Sequence, residues 1–194
     1  MTDAVLVAWT SQPVVLAILL AWGFSEAVAL PIVPDVLLGL LALATPAALG
    51  LPLVAAIAGA VVGSVALAEL HRRRPDLVAR IIALQPGLGQ RGMAEARTRI
   101  ERAGAARGFA QVGPGLPLKA YVVALIESFG DPGPFGLARL ATINRLTRLV
   151  PVVAGFAVVG VLARAAGMSV SSAIPIYLAG WTVFYLVFWW VRRG

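Results

Sequence analysis

Apolar residues along the chain collect into runs of roughly 20, the length a helix needs to cross a hydrocarbon core about 30 Å thick. None of the runs shows the period-two alternation of a membrane β-barrel. The pattern predicts four crossings, over residues 5–24, 51–70, 135–162 and 175–191. Gly59 and Gly63 in the second form a G-x-x-x-G spacing that lets another helix approach closely. Trp181, Tyr185, Trp189 and Trp190 in the last are expected interfacial anchors.

Two further apolar stretches, residues 24–46 and 108–134, are broken, the first by Pro31 and Pro34 and the second by Pro114 and Pro117. Each proline removes a backbone donor and clashes with the preceding turn, and irregular backbone at membrane depth survives only against protein or a wet cavity. Both stretches are therefore expected to be re-entrant hairpins. With the N-terminus inside, the first hairpin dips in from outside and the second from the cytoplasm, an inverted repeat with its site near the membrane midplane. The segment 71–107 between them is polar and is expected to be a cytoplasmic loop holding a surface helix near 94–107, where Glu95 and Arg99 sit four apart.

Composition agrees with the pattern: 60% of the 194 residues are hydrophobic and 13% charged, against about half and a quarter in a soluble domain. The fold class is all-α integral membrane protein, a single domain over residues 1–194 with no stretch polar enough for a second. Cysteine is absent, so disulfides and thiolate metal sites are excluded. Residues 1–8 lack the positive charge that opens a secretory signal, and the run after them is too long for one, so the N-terminal segment is expected to be retained.

The net charge of +7 is concentrated in one place. Nine arginines in segment 71–107 face Asp76, Glu95 and Glu101 there, which accounts for +6 of it. By the positive-inside rule that segment is cytoplasmic, and Arg192 and Arg193 put the C-terminus on the same side. The segment lacks interleaved aromatics and is tethered at the membrane, so anionic lipid headgroups, not nucleic acid, are its expected partner.

Glu26 and Asp35 flank the first break, and a carboxylate inside a bilayer must be paired, hydrated or protonated. They are candidates for proton or cation coupling; alternatively, Asp35 caps the helix starting at Val36 and Glu26 sits at a wet interface. Lys119, Arg145 and Arg148 form the basic counterpart, with Arg145 and Arg148 three apart on one helical face. They could bind a phosphate, to which guanidinium groups offer two parallel hydrogen bonds, or pair with Glu26, Asp35 or Glu127. Alternatively, they form a structural ion-pair network with arginines snorkelling to the surface, the plain expectation for Arg139. No catalytic constellation is visible. The G-x-G-x-x-G of Gly87, Gly89 and Gly92 follows no hydrophobic strand, His71 has no partner at metal-ligand spacing, and no nucleophile with a base stands out. The expectation is no enzyme, no metal and no cofactor.

The run Glu26-Ala-Val-Ala-Leu-Pro31-Ile-Val-Pro34-Asp35 resembles the first hallmark of the DedA family, also called VTT or SNARE-associated Golgi proteins. Pro114-Gly-Leu-Pro117-Leu-Lys119 resembles the P-x-P-[FY]-K break of its small bacterial branch, and Asn144-Arg145-Leu-Thr-Arg148 its G-R-x-x-R. The likeness spans about residues 20–160. It departs from the better-studied branch, which has an arginine on each side of the second break where this chain has Gln111 and Ala120. The resemblance implies a transport fold with two re-entrant hairpins in the bacterial inner membrane. It also implies translocation of a lipid phosphate, with Glu26 and Asp35 as functional acids and Lys119, Arg145 and Arg148 as functional bases. Membrane lipids and coupling protons are the implied partners, and a homo-oligomer is left open. A proton-coupled exporter of small cations or drugs and a non-transport scaffold are the alternatives.

Overall fold

A computed structural model describes residues 12–85, 88–110 and 116–192, and every regular element among them is a helix. Proline and glycine set the boundaries. Helix α1 (Pro13–Val28) opens on a proline, whose missing N–H costs nothing at a helix start, and ends three residues before Pro31. Helix α2 (Asp35–Ala44) begins directly after Pro34, so the first break runs from Ala29 to Pro34. A 3₁₀ turn (Pro46–Ala48) leads to α3 (Gly50–Arg73). Helix α4 (Pro75–Ala83) follows after Arg74 alone. Helix α5 (Gln90–Ala103) stops at Gly104, whose φ of +76° lies in the left-handed region that favours glycine, and α6 (Ala105–Phe109) follows. Beyond the second break come α7 (Leu118–Phe129), α8 (Gly133–Ala165) and α9 (Val170–Arg192).

Among the described residues three segments are long and apolar enough to cross a membrane: Gly50–Arg73, Gly133–Ala165 and Ser172–Val191. Helices α1 and α2 are apolar but shorter, at 16 and 10 residues. The three long segments match the last three of the four expected crossings; of the first, predicted over 5–24, residues 5–11 lie outside the described ones, and its remainder falls in α1.

The directions of the helices differ from those expected. Gly59 lies against Leu20, and Gly63 against Phe24 and Ala27, so closely that a Cβ at either glycine would collide with α1. Steps of four residues in the same sense on both helices mean that α1 and α3 run parallel, not out and back as expected. The start of α1 is therefore level with the start of α3, at the end of the bundle away from Arg72–Arg74, where the expected out-and-back path puts it on the arginine side. Hydropathy reports preference for lipid but not direction, which explains the difference.

Helix α2 turns back from the break and lies along α8, Asp35 beside Arg148 and Leu43 beside Gly160. Helix α8 starts near α3's end, where Arg72 pairs with Asp131 at 2.7 Å, and runs antiparallel to α3. Helix α9 runs back again, with Tyr177 against Val36 and Tyr185 against Val33, towards the arginine end of α3.

The basic segment is not a loose loop. Val78 and Ile82 of α4, Leu88, and Ala96 and Ile100 of α5 are buried in the same core as Leu67 of α3 and Tyr121 of α7. Helices α5 and α6 lead into the second break and α7 leads out beside them, so Arg97 meets Glu127. The predicted surface helix over 94–107 is thus split at Gly104, and its inner face belongs to the core.

Candidate functional site

The last turn of α1 brings Glu26 to the break, close to where Ala27 packs on Gly63 near the middle of α3. Glu26 is fully buried, and its Oε2 accepts from Nη2 of the equally buried Arg145. One turn along α8, Nε of Arg148 lies 3.3 Å from Oδ2 of Asp35, at the first residue of α2. One face of α8 thus holds both sides of the break through charge. Asp35 makes no side-chain cap; Pro34 holds the cap position. Neither arginine snorkels to the surface. Arg139, by contrast, is exposed.

Lys119, buried in the first turn of α7, does something different. Its Nζ donates to the carbonyls of Glu26 at 3.0 Å and Leu30 at 2.7 Å, at the C-terminal end of α1. Helix ends leave such carbonyls without partners and concentrate partial negative charge there, so an ammonium group suits the place. Further backbone groups in the break and just after it are also met by side chains. Gln85 Nε2 donates to Ala29 O, and Trp22 Nε1 to Ile32 O at 2.9 Å. The hydroxyl of Tyr185 accepts the Val33 N–H at 3.1 Å, and that of Tyr177 donates to Val36 O at 2.6 Å. Pro31 and Pro34 therefore break the helix where side chains from α7, α9, the turn after α4 and α1 itself can meet backbone groups that they expose.

At the second break Asn144 Nδ2 donates to Phe109 O at 2.8 Å and Arg99 to Ala110 O at 3.1 Å, and Pro117 occupies the cap position of α7. Pro114 and residues 111–113 and 115 lie outside the described residues.

Three cations, Lys119, Arg145 and Arg148, face two carboxylates, Glu26 and Asp35, leaving one net positive charge in the cluster. Their hydrogen-bonding capacity is not used up. Glu26 Oε1, Asp35 Oδ1, Asn144 Oδ1 and Arg145 Nε and Nη1 are buried without a protein partner, and a group of this kind costs about 1–3 kcal/mol unless something meets it. Glu127 is not part of the cluster; it pairs with Arg97, and His71 Nε2 stands 3.9 Å away.

Asp35 and Arg148 also line a cavity of about 730 Å³ between α8 and α9. Its other walls are apolar, among them Leu43, Phe156, Val159, Leu162, Ile176 and Phe184. Reading the sequence found the five charged residues but missed Gln85, Tyr177 and the structural use of Tyr185. The stripe of Tyr177, Trp181 and Tyr185 at steps of four, whose rings pack on one another, was the available signal. Among the described residues no group of His, Cys, Asp and Glu side chains is placed to hold a metal.

No family model, no curated protein and no solved structure matches the chain.

Proposed function

We propose that the chain is a DedA-like membrane transporter that moves a lipid phosphate, such as a polyprenyl phosphate or a phospholipid, across the bacterial inner membrane. The observation that carries this reading is the Asp35–Arg148 pair set into the wall of an otherwise apolar cavity, with Arg145 and Glu26 directly behind it. A hydrocarbon chain suits the apolar wall, and a phosphate suits guanidinium donors in a site where it would otherwise be costly to bury. The net positive charge of the cluster favours an anion over the small cations of an exporter.

The arrangement of the breaks supports two opposed hairpins. Helices α1 and α2, both short for a crossing, approach from the end away from Arg72–Arg74, while α5, α6 and α7 approach from the arginine end. Their tips meet where Lys119 reaches Leu30, the arrangement in which inverted repeats enclose a transport site. On this reading the arginine end is cytoplasmic. Glu26 and Asp35, each with one unpartnered oxygen, respond to protons, and Lys119 positions the first break and leaves the headgroup to Arg148 and Arg145.

The test is flipping of a fluorescent lipid phosphate in proteoliposomes. Arg148→Gln is expected to slow it about tenfold or more, the loss of one charge-assisted hydrogen bond. Equal rates in wild type and variant would remove the cluster from the mechanism.

A further inference from the structure

The short helix α4 has no part in the proposed transport site, yet its outer face is unusual. Its inner face, Val78 and Ile82, is buried in the core. Opposite them Leu77 is 41% exposed and Leu84, in the turn just after the helix, is 82% exposed. Arg80 stands between the two leucines, three residues after one and four before the other, so all three share one stripe. Asp76, the acidic residue of α4, stands one turn before Arg80, about 40° round the helix from it, and forms no ion pair with it.

The position of α4 decides what this stripe faces. Helix α3 ends at Arg73, and the chain turns at Arg74 and folds back, because Gln85, next to Leu84, hydrogen-bonds to Ala29 in the first break. Ala29 follows Ala27, which packs on Gly63, ten residues before Arg73. The stripe therefore climbs from the arginine end of the bundle back towards membrane depth. A leucine as exposed as Leu84 at that depth contacts acyl chains, and an arginine one turn nearer the surface reaches up to the headgroups with its charged end. Arg74 and Arg80 are exposed and form no ion pair among the described residues, whereas Arg72 and Arg73 are held by Glu69.

We propose that α4 is an interfacial anchor. Leu77 and Leu84 sit in the acyl layer, and Arg74 and Arg80 bind the phosphates of anionic phospholipids in the leaflet at the arginine end. Gln85 then ties the anchor to the first break. The anchor depends on membrane residence and not on transport, so a failed flipping assay leaves it standing.

The chain contains no cysteine, so a single introduced thiol reports one position cleanly. The full chain carrying Leu84→Cys is placed in lipid nanodiscs, where both faces are open to reagent, and treated with a charged maleimide; Glu101→Cys, at an exposed position of α5, is the reference. Labelling at position 84 is expected to be at least about tenfold slower than at 101, since a charged reagent does not enter hydrocarbon. Equal rates, or disulfide-linked dimers through position 84, would put water or a second copy there and overturn the anchor. In a second arm, enrichment of phosphatidylglycerol over phosphatidylcholine around the protein is measured in discs of mixed lipid. Arg74→Gln with Arg80→Gln is expected to reduce it about fivefold per arginine removed. An unchanged enrichment would overturn the headgroup assignment.

Discussion

Ion pairs occur in this protein at two places with opposite physics. At the rim, Arg72 and Arg73 hold Glu69, Arg97 holds Glu127 and Arg72 also holds Asp131, all with side chains open to solvent. At the breaks, Glu26 with Arg145 and Asp35 with Arg148 are shut away from it. Rim pairs form at little cost and return little, because water screens them and long side chains must be ordered to make them. The inner pairs carry a desolvation cost that their mutual attraction only partly offsets, so their value lies in fixing one arrangement of the breaks. The same residue types thus serve as loose fasteners at one level of the bundle and as determinants of one arrangement at another.

The largest effect expected is at Arg145. Arg145→Ala leaves Glu26 buried without its partner and should cost about 3–5 kcal/mol, read as loss of folded protein on heating in detergent. Adding Glu26→Leu should recover most of it, and a double variant no more stable than the single one would show that the pair is not the unit of stability. Next is Lys119→Met, which removes the donor to one buried and one part-buried carbonyl and should cost about 1–3 kcal/mol for each group left unmet; hydrogen exchange at the backbone of residues 29–34 should rise with it. Asp35→Asn should come lower, about 1.5–3 kcal/mol, because Arg148 at the cavity wall can turn to other partners, and recovery of stability on adding a lipid phosphate would sharpen the contrast with Arg145. Smallest is Arg97→Ala at the rim, about 0.2–1 kcal/mol, vanishing in high salt. A rim variant as damaging as Arg145→Ala would erase the distinction between the two sets.

How much of this was legible beforehand follows the same division. The first break was visible because Pro31 and Pro34 interrupt an apolar run, and the inner charges because a charge amid apolar residues is conspicuous. The glycines of α3 announced a close helix contact, and α1 makes it. What stayed hidden was relational. Nothing in the hydropathy of α1 tells that it runs parallel to α3, and Gln85 looks like any polar residue at a helix end until Ala29 is brought to it. The charge of Lys119 is visible in the sequence, while the two carbonyls it donates to belong to a helix end 89 to 93 residues away. The cavity between α8 and α9 was equally invisible, since it is a property of spacing between helices and of no segment alone.

The first break also has a consequence for how the protein is made. Its partners lie downstream: Gln85 is 56 residues beyond Ala29, Lys119 is 89 beyond Leu30, and Tyr185 is 152 beyond Val33. A ribosome delivers them in that order, so the break leaves the exit tunnel with its carbonyls unmet and acquires its fastenings one at a time, the last when the chain is nearly complete. Until then the backbone at the break has to find its hydrogen-bond partners outside the chain.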